Sequence, residues 1–247
     1  MLHRVAETHF DEWVAQRYEL LWPQLFDPAF LDPSVDVLAE LAGKGACLEL
    51  GVGTGRVALP LSRRGVRVHG IELSEPMVRQ LRDQDGASEV GVTLGDFATT
   101  TVEETFRLVY LLRNTITNLT TQDEQVACFV NAAEHLTPGG SFVIEVGVPA
   151  LRLMPPGQRV VPFDVGEKYW AYDLYDCATQ EMSSNYVDED DGVARMWSVP
   201  FRYVWPSELD LMARIAGLRL AERWQDWDGT PFTHESTRHV SVWQKSG

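Results

Sequence analysis

The run Leu48-Glu49-Leu50-Gly51-Val52-Gly53-Thr54-Gly55-Arg56 constrains this chain more than any other stretch. A short apolar strand leads into three glycines spaced two apart, and a helical segment follows. Further on, Val68-His69-Gly70-Ile71-Glu72 reads as a second strand ending in a carboxylate. Strand, glycine loop, helix and acid-tipped strand make half of a nucleotide-binding α/β fold. The glycines let the backbone turn sharply and leave bare amides facing a ligand, and the carboxylate can take both hydroxyls of a ribose. The spacing then discriminates among nucleotides. A dinucleotide fingerprint, G-x-G-x-x-G, needs its third glycine at position 56, where this chain has Arg56.

Three further landmarks follow in order: the acidic Glu72, then Gly95-Asp96-Phe97, then Leu136-Thr137-Pro138-Gly139-Gly140-Ser141-Phe142. With the E-x-G-x-G-x-G loop they resemble the class I S-adenosylmethionine (SAM)-dependent methyltransferases, closely over residues 45 to 147 and more loosely beyond. The broad resemblance is to small-molecule enzymes of bacterial secondary metabolism. It implies SAM as cofactor, S-adenosylhomocysteine as product, and methyl transfer to oxygen or nitrogen of a small acceptor. Two alternatives remain open at this stage. One is an NAD(P)-dependent oxidoreductase on the same architecture; the other is a SAM-binding protein that catalyses a non-methyl transfer or a cyclisation.

Charge narrows the partners. The chain of 247 residues has a formal net charge of −15 and no basic block. A nucleic-acid partner would want a cationic track for phosphates, so none is expected. No apolar run is long enough to cross a bilayer. Cys47, Cys128 and Cys177 are scattered, with no C-x-x-C pair, which suits a reducing cytoplasm. The N-terminal residues His3, Arg4, Glu7 and Asp11 do not fit a signal peptide. The six histidines show no ligand spacing, so no metal site is expected.

The periodicity predicts a helix over 5–20, with Val5, Phe10, Trp13, Val14 and Tyr18 near one face. Asp27-Pro28 and Asp32-Pro33 are read as breaks before a short helix over 35–41. Strands are expected at 46–50, 66–73, 92–94, 108–112 and 141–147, with helices between. Thr121-Gln122-Asp123-Glu124 is a capping box, opening a helix whose buried stripe is Val126, Phe129, Val130 and Ala133. Such alternation predicts a doubly wound, Rossmann-like α/β sheet. Residues 150–204 break the rhythm and read as an antiparallel β insertion, with strands near 168–175, 178–187 and 193–204 and a turn at Asp191-Gly192. A helix over 207–216 and a terminal antiparallel hairpin, 218–227 with 239–243, complete the sheet. The domain plan is then a helical cap (1–44), a SAM-binding core (45–149), an insertion serving as lid or homodimer interface (150–204), and a closing helix and hairpin (205–247).

Ligands of a doubly wound sheet bind beyond the carboxyl ends of its strands. That rule selects Gly51, Gly53, Thr54 and Gly55 after the first strand, and Glu72, Leu73 and Ser74 after the second. It selects Gly95, Asp96 and Phe97 after the third, and Arg113, Asn114 and Thr115 after the fourth. By the resemblance, Glu49, the glycine loop and Arg56 hold the methionine portion of the cofactor, and Glu72 takes the ribose. Leu73 and Met77 line the adenine, Asp96 accepts from its amine beside Phe97, and Asn114 completes the set. Arg113, emerging from an apolar strand, is a candidate acceptor contact or the partner of Glu49 or Glu145. Tyr18, Tyr172 and Trp227 are further candidate acceptor contacts. A proton acceptor is needed only for a protonated acceptor atom, and His239, His234, Asp228 and Glu145 are the candidates.

Overall fold

The computed structural model describes residues 9–167, 169–190 and 192–247, with the backbone alone at Asp190. Val5 of the expected first helix and Asp191 of the expected turn lie outside the described residues.

Helix α1, Glu12–Leu21, is capped by Asp11, whose carboxylate accepts the Val14 N–H at 2.9 Å. Only Ala15 of it is fully buried; Trp13, expected inside, is 44% exposed with the Arg17 guanidinium over its ring. Helix α2, Pro28–Ala42, corrects the reading of two prolines as breaks. Asp27 caps this helix and Pro28 takes its first position, where the missing N–H costs nothing. Pro33 falls inside it and removes one backbone hydrogen bond, while Leu31, Val35 and Leu38 bury the face that holds the helix in place.

The central sheet is built from β1, Cys47–Leu50, β2, Val68–Glu72, β3, Val90–Leu94, β4, Phe106–Leu111, and β5, Leu136–Gly147. It is closed by β10, Leu218–Trp224, and β11, Arg238–Lys245. Its order is β10-β11-β5-β4-β1-β2-β3, with β11 antiparallel to both neighbours and the remaining pairs parallel. This is the doubly wound sheet with a terminal antiparallel hairpin, and its strand order reverses between β1 and β4. Helices α3, Ala58–Arg63, α4, Glu75–Arg82, α5, Gln122–His135, and α6, Pro206–Ile215, make the crossovers and flanks. Strand β5 starts earlier than expected. Pro138-Gly139-Gly140 lies within a bulge between the pairs Phe106↔Leu136 and Leu108↔Ser141 rather than in a free turn.

The capping box of α5 forms in full. Thr121 Oγ1 accepts the Glu124 N–H at 3.2 Å, and Glu124 returns the contact to the Thr121 N–H at 2.9 Å. Its buried face is turned from the expected stripe. Gln125, Cys128, Phe129, Asn131, Ala132 and Ala133 are inside, and Val126 and Val130 are half-buried.

The insertion forms its own antiparallel sheet, β6-β7-β8-β9, from Val160–Val165, Tyr169–Tyr175, Glu181–Asp190 and Val193–Arg202. Its first strand was missed because Pro162 reads as a breaker. On an edge strand the absent N–H costs no ladder bond. This sheet rests on the core through a small apolar cluster of Val161, Tyr175 and Tyr203 against Leu151, Met154 and Trp205.

Candidate functional site

A cleft of about 640 Å³ opens beyond the carboxyl tips of β1, β2 and β3. Its floor holds Gly51, Gly53, Glu72, Leu73, Met77, Asp96 and Phe97, and Tyr18 and Phe10 of the N-terminal segment close one side. A shallower concavity at the opposite ends of the strands, around Lys44 and Arg107, contains none of the sequence-predicted residues.

The glycine loop is shaped by local backbone. Gly51, Gly53 and Gly55 all have positive φ, at 74°, 56° and 81°. A Cβ on Gly55 would press on Leu59 and Leu81 at 3.0 Å, so the loop packs flat against α3 and α4. Glu72 ends β2 and is 7% exposed. Its Oε2 accepts the Gly53 N–H at 2.8 Å and its Oε1 the Ser74 N–H at 2.9 Å. Burial raises its carboxyl above the usual range, and these amides oppose the rise. Asp96 sits in a tight turn, its Oδ1 accepting the Ala98 N–H at 2.8 Å.

Glu49 lies below the loop rather than in the cleft lining. It is 5% exposed, and its Oε2 accepts the Tyr110 hydroxyl at 3.0 Å. Burial pushes its carboxyl up to about 8, against the pull of the Tyr110 hydrogen bond. Thr54 Oγ1, in the loop, is buried without a protein partner. The loop amides of Gly51, Val52, Gly53 and Gly55 are already donated within the protein. It is the orphaned Thr54 hydroxyl and the buried acid ending β2, which lines the cleft, that fit a polar ligand with a ribose, as SAM has.

Several sequence-predicted residues fall elsewhere. Arg56 does not line the cleft; its guanidinium donates to the Leu25 carbonyl at 3.2 Å and ties the N-terminal cap to the loop. Ser74 does the same from α4, its hydroxyl donating to the Phe10 carbonyl, and Arg79 pairs with Glu12. Asn114 joins strand tips: its Oδ1 accepts the Gly147 N–H at 2.6 Å. Arg113 and Asn114 are consecutive non-glycine residues in the left-handed region, at φ 56° and 62°. The Arg113 N–H donates to Glu145 Oε2 at 3.3 Å, its guanidinium lies 5.7 Å from the Phe30 ring centroid, and its Nε is buried without an acceptor. Tyr172 stands on β7 away from the cleft lining. Trp227 is 8% exposed and packs in the core with Leu31 and Val35.

The base candidates are not brought together. His234 and Asp228 are exposed on the hairpin loop, where Asp228 accepts the Thr230 N–H at 2.9 Å. His239 is 0% exposed in β11, with Nδ1 2.8 Å from Ser241 Oγ and burial holding its imidazole down to about 3. None of the three lines the cleft. Glu145 is buried beneath the Arg113 turn.

Of the acceptor half, the sequence selects Tyr18, Thr115 and the insertion as a whole, but not the remaining side chains. Thr115, Asn118 and Leu119 supply its floor from the turn after β4, and Glu124 flanks it. The insertion supplies the roof through Leu174, Asp176, Glu181, Ser183, Pro200 and Phe201. Arg159 pairs with Asp176 at 3.2 Å, leaving Glu181 and Glu124 as excess negative charge there. Among the described residues, no cluster of His, Cys, Asp and Glu could hold a metal ion, and no helix is long and apolar enough to cross a membrane.

The methyltransferase-domain family matches residues 47–140. The CcbJ methyltransferase of Streptomyces caelestis superposes with a TM-score of 0.78 and is 36% identical, over 87% of this chain and 89% of that one. The cypemycin N-terminal methyltransferase of a Streptomyces species is 29% identical over 241 residues, 96% of this chain and 97% of that protein. SAM-bound CalS10 from Micromonospora echinaspora, an amino pentose methyltransferase involved in calicheamicin biosynthesis, shares the fold. Its TM-score is 0.69 at 22% identity, over 93% of this chain and 96% of that one.

Proposed function

The chain belongs to the SAM-dependent methyltransferases, and on that premise we propose that it methylates an amine nitrogen of a small natural-product acceptor. Family membership sets aside the nicotinamide oxidoreductase.

The observation that carries the amine reading is the charge of the acceptor half. Glu124, Asp176 and Glu181 face one arginine, Arg159, which Asp176 already neutralises. A cleft of that sign concentrates ammonium groups and repels carboxylates and phosphates. The names of two relatives point the same way, one acting on an N-terminus and one on an amino pentose.

On this reading Gly51 and Gly53 border the methionine end of SAM, Glu49, Thr54 and Gly55 support that loop from behind the lining, and Glu72 holds the ribose. Leu73, Met77, Asp96 and Phe97 surround the adenine. SAM supplies a methyl group already activated on a sulfonium. The protein's work is therefore orientation, holding the acceptor nitrogen in line with that methyl between the Thr115–Asn118 floor and the roof sheet. Tyr18 and Phe10 close the cleft on the side of the N-terminal segment and exclude water there. An acceptor drawn in as an ammonium must first lose one proton, to Glu124, Glu181 or solvent. Its free nitrogen then attacks, and the methylated product is again an ammonium that needs no further proton loss to leave. Glu145, shut beneath the Arg113 turn, takes no part.

The test is S-adenosylhomocysteine release with SAM and a panel of amino sugars, short peptides with free N-termini, and hydroxyl-only sugars and phenols. Turnover confined to amines is expected. Methylation of hydroxyl-only compounds with every amine inert would overturn the reading.

A further inference from the structure

We propose that Gln125, acting through Arg202, is a positioning residue that sets how far the roof sheet stands above the floor of the cleft. The proposal rests on this cleft being where transfer occurs, not on the acceptor being an amine.

Gln125 is 0% exposed on α5. Its amide nitrogen lies 3.3 Å from the Ile116 carbonyl, 3.2 Å from that of Leu119 and 3.1 Å from that of Arg202. The first two belong to the turn whose Thr115, Asn118 and Leu119 form the floor, and Arg202 directly follows Pro200 and Phe201 of the roof. The other end of the same side chain, Oε1, accepts from Arg202 Nη1. One amide therefore joins floor to roof.

The Arg202 guanidinium, itself 5% exposed, extends the joint. Its Nη2 donates to Glu208 Oε1 at 2.7 Å and to Gln180 Oε1 at 3.2 Å. Gln180 stands at the entry to β8 in a left-handed conformation, φ 62°, and donates to the Tyr203 carbonyl at 2.9 Å and Glu208 Oε2 at 2.8 Å. Gln122 of α5 adds a donor to Glu208 at 2.9 Å. Both strands nearest the cleft are thus gripped at their bases, β8 by Gln180 and β9 by Arg202.

The roof sheet shares no ladder with the seven-stranded sheet. Its other anchor is the cluster of Val161, Tyr175 and Tyr203. Apolar contact is non-directional and fixes no angle. A satisfied buried polar network does, because each alternative arrangement leaves a charge or a carbonyl unpaired. The proposed cofactor residues lie at or near the tips of β1, β2 and β3, and among the described residues none of them is hydrogen-bonded to Gln125, Arg202, Gln180 or Glu208. Loosening the joint should therefore move the acceptor side and spare the cofactor.

The test uses the full chain loaded with S-adenosylhomocysteine, in a C177S background. Nitroxides on D123C of α5 and A194C of β9 report the floor-to-roof distance by double electron–electron resonance. Gln125→Met keeps the length of the side chain and removes both of its hydrogen-bonding ends. A single narrow distance is expected before that substitution and a broadened one after it, with the S-adenosylhomocysteine dissociation constant changed less than twofold. For the best acceptor of the panel above, KM should rise at least tenfold. An unchanged narrow distance overturns the proposal, and so does an equal loss of cofactor affinity, which would mark Gln125 as general scaffold. Gln180→Gly suits the left-handed backbone and deletes the far side of the joint. It is read by the same criteria if Gln125→Met does not fold.

Discussion

Glu72 reaches back over the glycine loop to accept the Gly53 N–H at 2.8 Å, so the acid that ends β2 and the turn that follows β1 form one unit. The contact explains why the two sequence signals belong together despite their separation. A carboxylate 7% exposed is costly unless donors satisfy it, and Gly53 and Ser74 supply two. The carboxylate is thereby fixed in the lining of the cleft.

Replacing Glu72 by Ala should weaken SAM binding at least tenfold. Charge-assisted hydrogen bonds of this kind are worth about 1.5–3 kcal/mol. Glu72→Gln, which keeps one acceptor, should fall between. Isothermal titration with SAM measures both, and an affinity unchanged by the alanine would remove Glu72 from the ribose contact.

Glu49 should give the enzyme an unusual dependence on pH. Its carboxyl is held up to about 8 in the folded chain, above its ordinary 4.5. Between those values the native state keeps a proton that the unfolded chain has lost. Stability therefore falls as pH rises through this window and levels off above it. Glu49→Gln should abolish that slope, read as urea midpoints from pH 5 to 9. Tyr110→Phe deletes the hydrogen bond that favours the ionised form. It should shift the slope to higher pH, and a profile identical to the parent's would show that the hydroxyl does not control the acid.

The cleft residues Gly51, Gly53, Glu72, Leu73, Asp96 and Phe97 were legible because each sits at a strand tip fixed by local pattern. Three alternating glycines, an acid after apolar residues and a Gly-Asp turn each have a local cause, and the parallel sheet brings them together. The acceptor half carried that signal only at Thr115, on the tip of β4; Asn118, Leu119 and the individual roof side chains have none. Its floor follows two left-handed residues, of which Asn114 is a type that readily adopts a positive φ and Arg113 is not. Its roof comes from a separate sheet whose edge proline disguised a strand. Gln125 was passed over because a buried glutamine breaks an apolar stripe, and only the carbonyls around it account for its place. His239 was selected for its chemistry and its place beside the hairpin loop, whereas alternation along β11 turned it inward against Ser241.

His239 should therefore matter to acid stability and little to turnover. Its imidazole is held to about 3 when folded, below the ordinary 6.5. In that interval the unfolded chain takes a proton that the native state refuses, so stability is lost as pH falls through it. His239→Asn can keep a contact with Ser241 and lacks the titration. Its melting temperature relative to the parent should improve on going from pH 8 to pH 5, with kcat at pH 8 within threefold. A kcat lowered a hundredfold at unchanged stability would restore His239 to the chemistry.

Arg113 separates backbone from side chain by a pair of substitutions. The left-handed conformation costs a residue with a Cβ about 1–2 kcal/mol, which glycine escapes. Arg113→Gly should therefore be more stable than Arg113→Ala by roughly 1 kcal/mol in urea denaturation. Equal stabilities would mean that the turn relaxes once the arginine is gone. Both variants lose the guanidinium, which has no ion pair among the described residues and rests over Phe30. If that cation orients the acceptor, KM for the acceptor should rise equally in the two while SAM affinity holds. A KM untouched in both would assign the side chain to packing against α2, and a KM raised only in the alanine variant would assign the effect to the backbone.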